Sequence, residues 1–305
     1  MITRWMMVAA LMAAGPAGCR AEPPAKQPDD PNAIAYGKGR RLCRLANRNI
    51  DESSGMACSR RNPGVFWTHN DSGSGPILYA FNKKGEDLGT FEIEGAKARD
   101  YEDIASFSLD GKHYLLVGDT GDNAERRKGY TLYLVEEPEV PQGKGRVAGK
   151  AKLLQTIDFT FEGGSRDGES LAVDPTSRTI FVATRTYSRK CEIFQLPLPT
   201  EPPKRSLVAK HIATAKIKVG NAMDISPDGL RAVISSYWDG YEFTRKPGED
   251  WATAFRRTPR VIALPGRKER RKGESVAYGP DGKTLYLTSE GSACPLWEVP
   301  VEAPK

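Results

Sequence analysis

Apolar positions along this chain come in short runs, many alternating with polar residues, and nearly every run stops at a cluster of Gly, Asn, Asp or Pro. Period-two alternation bounded by turn formers is the pattern of half-buried β-strands. A first set of strands is expected at Gly55 to Ser59, Val65 to His69, Ile77 to Asn82 and Asp87 to Ile93, with Asn82-Lys83-Lys84-Gly85 as a hairpin turn. A second set is expected at Ile104 to Leu109, Tyr114 to Gly118, Thr131 to Glu136 and Lys152 to Phe161, with the Pro/Gly/Lys stretch Glu137 to Lys150 as an outer loop. The third covers Ser170 to Asp174, Thr179 to Thr184, Cys191 to Leu196 and Leu207 to Thr214. The fourth covers Ala222 to Ser226, Arg231 to Ser236, Glu242 to Arg245 and Arg260 to Leu264, interrupted by helical spacing of Trp251, Ala254 and Phe255. The last has only Ser275 to Tyr278, Thr284 to Thr288 and Leu296 to Val301.

Each set opens on a related phrase: Ser54-Gly55-Met56-Ala57, Glu102-Asp103-Ile104-Ala105, Glu169-Ser170-Leu171-Ala172, Met223-Asp224-Ile225-Ser226 and Glu274-Ser275-Val276-Ala277. The steps between them, 48, 67, 54 and 51 residues, lie near the period of a β-propeller blade. The expected fold is therefore an all-β propeller of five blades, or six if the long second repeat hides an irregular one. Because the last set lacks a fourth strand and a ring cannot close on an unpaired edge, the strand near Arg41 to Ala46 is expected to complete it from the N-terminal side. A β-sandwich fits the regular recurrence less well.

The N-terminal residues read as an address. Arg4 precedes the apolar run Trp5 to Ala14, and Gly15-Pro16-Ala17-Gly18-Cys19 supplies small residues at a cleavage point. Ten helical residues rise about 15 Å, half of a hydrocarbon core of about 30 Å, so this run is a signal peptide (residues 1–19) and no transmembrane helix is expected. Small residues before Cys19 resemble a bacterial lipobox, although Pro16 departs from its aliphatic preference; lipidation at Cys19 and simple secretion both follow from the pattern. Residues 20–39 are polar and proline-rich and read as a tether, leaving 40–305 as one propeller domain. The expected location is outside the cytoplasm, at an outer membrane or cell surface, with membrane contact only through the lipid.

Composition narrows the function classes. With 30 Gly and 22 Pro in 305 residues the chain is loop-rich, and its net charge of +6 is spread over mixed-sign clusters such as Arg267-Lys268-Glu269-Arg270-Arg271-Lys272. No aromatic platform or recognition helix accompanies that run, so nucleic acid is not an expected partner, and a monomer is. Four cysteines remain after Cys19: Cys43, Cys58, Cys191 and Cys294. None has zinc or Cys-x-x-Cys spacing; Cys43 and Cys294, on the closing strand and the last set, are the candidate disulfide, with four free thiols as the alternative. There is no Gly-x-Ser-x-Gly elbow, P-loop or dinucleotide fingerprint.

In a blade the first strand lines the channel and the second runs antiparallel to it, so starts of first strands and ends of second strands meet at one mouth. Starts contribute Glu52, Asp100, Glu102, Asp167, Glu169 and Glu274. Ends contribute His69, Asn70 and Asp71, then Asp119, Asp122 and Asn123, then Arg185, Tyr237-Trp238-Asp239 and Glu290. So many carboxylates repel unless a cation compensates, and calcium accepts six to eight oxygens in flexible geometry. Glu102, Glu169 and Glu274, with Asn70, Asp71, Asp119, Asp122 and Asn123, form the candidate calcium set. Turn geometry explains the same Asp and Asn residues without an ion. Arg185, Tyr237, Trp238, Asp239 and Glu290 are candidate ligand-binding residues, and His69 is the one histidine placed to act as a general base. His113 and His211 fall on outer positions.

The phrases around Glu102, Glu169 and Glu274 resemble the inner-strand signature of phytase-like and esterase-like exported bacterial β-propellers. Trp67-Thr68-His69-Asn70-Asp71-Ser72-Gly73 and Gly118-Asp119-Thr120-Gly121-Asp122-Asn123 look like those of a set of secreted propeller (lipo)proteins. The resemblance covers most of residues 48–303 and specifies fold more than activity, since such families include calcium-dependent phosphatases, esterases and lactonases as well as binding scaffolds. The fourth copy departs from it, with Met223 where Glu would stand. The expected function is a ligand- or partner-binding module at the cell envelope, for a small molecule or protein held at the mouth. The alternative is a calcium-dependent hydrolase of a phosphate, ester or lactone.

Overall fold

Twenty-one β-strands and two short helices account for the regular structure among residues 33–302, the span that the computed structural model describes apart from 142, 144 and 271. The signal segment, Cys19 and most of the tether lie outside the described residues. Strand β1 (Arg40–Arg44) belongs to the last sheet. The first sheet is the antiparallel meander β2 (Ser53–Cys58), β3 (Val65–Asn70), β4 (Ile77–Asn82) and β5 (Asp87–Ile93). A second meander runs β6 (Tyr101–Leu109), β7 (Lys112–Asp119), β8 (Tyr130–Glu136) and, after β9 (Val147–Ala151), β10 (Leu153–Phe161). The third is β11 (Gly168–Asp174), β12 (Thr179–Thr184), β13 (Cys191–Pro197) and β14 (Leu207–Ala215). The fourth is β15 (Gly220–Ile225), β16 (Arg231–Ser236), β17 (Asp239–Thr244) and β18 (Arg260–Ala263), with α1 (Trp251–Phe255) between its last two strands. Helix α2 (Arg267–Arg270) leads to β19 (Ala277–Tyr278), β20 (Leu285–Leu287) and β21 (Pro295–Val299), and β1 pairs antiparallel with β21 from Arg40↔Glu298 to Arg44↔Pro295. Among the described residues no helix is long and apolar enough to cross a membrane.

Three features differ from the sequence expectation, each for a local reason. The stretch expected as an outer loop contains β9, which adds in parallel to β5 because that edge would otherwise leave its backbone groups unpaired. The outer strands β10 and β14 pair in parallel from Phe159↔Leu207 to Phe161↔Ala209, merging the second and third meanders into one eight-stranded sheet. Packing begins before Arg40: Ile34 is buried, Gly37 N donates to Pro300 O at 2.8 Å, and the Tyr36 hydroxyl donates to Glu242 Oε1 at 2.6 Å. Cys43 and Cys294 are free thiols rather than the expected disulfide. The register sets Cys43 opposite Leu296 and hands Cys294 O to Leu45 N, so the two cysteines are offset diagonally rather than directly opposite.

Apolar clusters lie between successive sheets. Phe107 and Leu116 of the second meander pack with Leu171 and Ile180 of the third; Phe181 of the third packs with Met223 and Ile234 of the fourth. Ala57 and Trp67 of the first pack with Ile104 and Val117 of the second; Met56 and Phe66 meet Ala277 and Tyr286 of the last, and Val233 of the fourth meets Val276 and Leu285 of the last. Alternate strand residues thus serve both neighbours of each sheet, which is why strands such as β2, β11 and β16 are buried at every position.

The first strands β2, β6, β11, β15 and β19 lie side by side, with β19 back against β2. Their space is filled by carboxylates. Asp103 Oδ2 accepts from Leu171 N (2.8 Å) and Met223 N (2.9 Å), and its Oδ1 from Ile104 N (2.9 Å), so one side chain collects amides from three neighbouring strands. Two residues further along, Asp224 accepts from Ile225 N and Tyr278 N. Gly55 faces Asp103 across this axis: a Cβ there would lie 2.7 Å from Asp103 Cα, and only glycine fits.

Candidate functional site

Bulges aim the repeated glutamates. In β6 the pairing with β7 shifts between Tyr101 and Asp103, and in β11 the pairing with β12 shifts between Gly168 and Ser170, leaving Glu102 and Glu169 as the extra residues. A bulge re-aims a side chain out of the pleat, here both to the same mouth. The fourth strand carries its bulge between Gly220 and Ala222, so the structural counterpart of Glu102 is Asn221, not Met223. Met223 pairs with Ile234 in the core, and Asn221 is turned away by bonds to Gly273 O (2.9 Å) and Ser235 Oγ (3.0 Å). The sequence frame was two residues late there because Met-Asp-Ile-Ser mimics the phrase.

Five carboxyl groups gather at the mouth. Ligand atoms of Asp71, Asp100 and Glu102 lie within 4.8 Å of one another, as do those of Glu102, Asp167 and Glu169. Glu102, Asp167 and Glu169 are buried, and Asp71 and Asp100 are half-buried. Among the described residues the cation in ion-pair contact with this group is Arg185, at 2.6 Å from Glu169 and 3.2 Å from Asp167, and it also lies 3.9 Å from the adjoining Glu274. Two unit charges at about 4 Å interact by about 4 kcal/mol even at an effective dielectric near 20, so one guanidinium cannot hold five carboxylates ionised. Protonation of part of the set relieves the repulsion instead. Burial and the neighbouring Asp100 push Asp71 up to about 7; burial and the charge of Glu169 hold Glu102 well above the usual carboxylate range. Glu169 is raised likewise by burial and Asp167, against the pull of Arg185. Burial and a hydrogen bond with Glu290 push Glu274 up to about 8.

The donor set suits a hard cation. Asp71 Oδ1 is a buried oxygen without a hydrogen-bond partner, and the loop opposite is cut back to glycine: a Cβ on Gly121 would overlap Glu102 Oε1 and lie 2.6 Å from Asp100 Oδ2. This acidic cluster could hold a metal ion.

The candidate residues divide between this cluster and its scaffold. Asp71, Glu102 and Glu169 are in the cluster; Glu274 adjoins it, accepting the Tyr237 hydroxyl at 2.6 Å. Asp119 is held by Arg127 (2.9 Å) and accepts Arg99 N, while Asp122 accepts Arg127 N (2.7 Å) and the Tyr130 hydroxyl, and its own amide caps Asp167. Asn123 is a partner of Arg185 at 2.7 Å. Asn70 pins the loop before β2, donating to Asn49 O and Asp51 Oδ1. Trp238 packs edge-on to Tyr237 at 6.0 Å with Lys218 and Arg267 over its ring, Asp239 takes its place in β17, and Glu290 pairs with Lys272 at 3.0 Å. His69 is sealed beneath the mouth: it is fully buried, bonded at Nδ1 to Asn70 O and stacked edge-on against Tyr101, and burial lowers it to about 4. A ring shut off from solvent is not placed to take a proton from a ligand in solution. Asp100 and Asp167 were absent from the calcium set, although the twice-used spacing Asp100-x-Glu102 and Asp167-x-Glu169 marks them.

No family model and no curated protein matches the chain. Among solved structures the fold is similar to that of a glucose dehydrogenase, with a TM-score of 0.50 at 11% identity over 87% of this chain and 100% of that one. A glutaminyl cyclase from Myxococcus xanthus aligns with a TM-score of 0.49 at 11% identity over 89% of this chain and 99% of that one. At that identity the first likeness establishes an all-β, propeller-like fold and nothing of the chemistry.

Proposed function

We propose that the protein is a five-bladed propeller closed by β1, whose mouth binds a divalent cation of the calcium class and uses it to hold an oxyanionic ligand. The blade count and closure are supported by five first strands in cyclic contact, by a core between every pair of neighbouring sheets, and by the Ser53 Oγ to Thr288 Oγ1 bond (2.8 Å) joining the first set to the last. The observation that carries the cation is the overlap of two sets of three carboxyl groups at the buried Glu102, one with Asp71 and Asp100 and the other with Asp167 and Glu169, beside the close approach of Gly121. Calcium would replace the protons that now keep these groups together, and its remaining coordination positions would take ligand oxygens. Arg185 would orient an anionic group beside it. Metal-assisted hydrolysis of a phosphate, ester or lactone is the second reading, favoured by Glu274, which adjoins the cluster without belonging to it, accepts the Tyr237 hydroxyl, and is pushed up to about 8 by burial and Glu290, so that it is suited to protonate a leaving group. Export with lipidation at Cys19 belongs to the same proposal and is checked by palmitate labelling of wild type against Cys19→Ser.

The cation reading is tested by calcium titration of the chelator-stripped protein. At a hundredfold excess over Kd, binding stabilises by about 2.7 kcal/mol, and a chain of this size should gain about 4 to 5 °C in Tm. The paired variant Glu102→Gln with Glu169→Gln should lose that gain while remaining folded. An unchanged Tm with calcium, or a full gain in the double variant, overturns the assignment. A panel of phosphate, ester and lactone substrates with and without calcium then separates hydrolysis from binding alone.

A further inference from the structure

Beside the acidic cluster, on the other side of Arg185, lies a separate cavity of about 280 Å³ under the loop that joins β12 to β13. Its chemistry differs from that of the cluster. Four hydroxyls line it, from Thr184, Thr186, Ser188 and Thr214. They are oriented by bonds within the protein: Thr184 Oγ1 accepts Glu192 N (3.0 Å), Thr186 Oγ1 shares a bond of 2.8 Å with Ser188 Oγ and also accepts Ser188 N (3.2 Å), and Thr214 Oγ1 meets His211 Nε2 (2.9 Å). A hydroxyl offers one donor and two acceptor sites, so each keeps capacity for a ligand.

The charged lining groups are unequally committed. Arg166 is tied to Glu192 at 2.6 Å, and Arg185 is engaged by Asp167 and Glu169. Lys190 is exposed, and among the described residues no hydrogen bond or ion pair engages its amine; of the two carboxylates in the lining, Glu192 is held by Arg166 and Glu125 is the other. Arg189, just before Lys190, sits at φ 59°, a left-handed conformation that a residue with a side chain adopts at a cost of about 1 to 3 kcal/mol. In the same loop Tyr187 is 72% exposed, an aromatic ring with no core to pack on, standing between two residues that line the cavity.

We propose that this cavity binds a monosaccharide-sized, hydroxylated ligand carrying one anionic group, a carboxylate or a phosphate ester, with Lys190 on the anion and the Thr/Ser hydroxyls on the ligand's hydroxyls. The volume is at the lower end of ligand pockets, near 300 Å³, and matches one sugar rather than a chain. The inference does not rest on the cation reading, since no carboxylate of the cluster lines this cavity.

The test is calorimetric titration of the full chain with glucuronate, glucose 6-phosphate and glucose, each in chelator and again with calcium. At least one of the two anions should bind at millimolar or better Kd in chelator, about tenfold more tightly than glucose, and the one that binds identifies the anionic group. Lys190→Glu, an exposed change that should leave Tm unaltered, should weaken the anion about tenfold and leave glucose within twofold. Thr186→Val should weaken every ligand that binds. Binding of neither anion below 10 mM, equal binding of glucose, or an unchanged anion affinity in Lys190→Glu overturns the proposal, whatever calcium does at the neighbouring cluster.

Discussion

Replacing Asp103 tests whether the axis is held by side-chain carboxylates. Its two oxygens are used unequally: Oδ2 accepts two amides, Leu171 N and Met223 N, and Oδ1 accepts one, Ile104 N. The residue is fully buried, so Asp103→Ala strands three donors with no water to replace the lost oxygens. Each unsatisfied buried donor costs about 1 to 3 kcal/mol, which puts the loss at about 3 to 9 kcal/mol. Asp103→Asn keeps one oxygen, which can serve Leu171 and Met223, and turns an NH2 toward Ile104 N; it should lose about one donor's worth, about 1 to 3 kcal/mol. Urea denaturation followed by tryptophan fluorescence gives both values, and a loss at the upper end for Asp103→Ala consumes most of the stability of an ordinary domain, about 5 to 15 kcal/mol. If Asn costs as much as Ala, or if Ala costs less than about 1 kcal/mol, the carboxylate does not organise the three strands.

The remaining predictions concern pH, the glycine at the axis and one buried tryptophan. Asp71 and Glu274 have folded-state values raised to about 7 and about 8, above the unfolded carboxylate range near 4; the stability they contribute is full below that range and is lost as pH rises through 7 to 8. In chelator, Tm should therefore fall between pH 5 and 8.5, and calcium, which favours the carboxylates, should flatten the fall; a Tm that rises over this window in chelator contradicts the protonated cluster. Gly55→Ala should fail to accumulate as folded protein or lose several kcal/mol, because its methyl would meet Asp103 and Ile104 backbone rather than a flexible side-chain end; near-wild-type circular dichroism melting would contradict that. Trp67→Phe removes the 2.8 Å bond from Nε1 to the fully buried Glu137 and should cost about 2 to 4 kcal/mol in urea denaturation, whereas a loss under about 0.5 kcal/mol would show that Glu137 is satisfied without it.

What the sequence determined by itself is what period and turn chemistry control. Strands recur about every fifty residues because each set must pack both its neighbours, and that demand writes alternating or fully apolar runs bounded by Gly, Asn and Asp. The places where starts and ends of strands meet followed from antiparallel pairing, which is why Glu102, Glu169, Asp71 and Arg185 were identified as neighbours although they are distant in the chain. Asp100 and Asp167 carried a readable signal, the doubled Asp-x-Glu spacing, that turn chemistry disguised.

Only the tertiary structure decided which acids face the mouth. Asp119 and Asp122 have the composition of a cation loop, yet Arg127 and Tyr130, brought back by the start of β8, claim them for the scaffold. The fourth repeat could not be framed from sequence because a bulge shifts register by one residue without changing residue types, and only pairing shows that Asn221, not Met223, stands in the glutamate's place. His69 falls at the right end of its strand, but its side of the pleat is inward, and burial removes it from chemistry. Local sequence sets where strands begin and end; which way a side chain points at a bulge, and which charge it meets there, depends on neighbours contributed by other sheets.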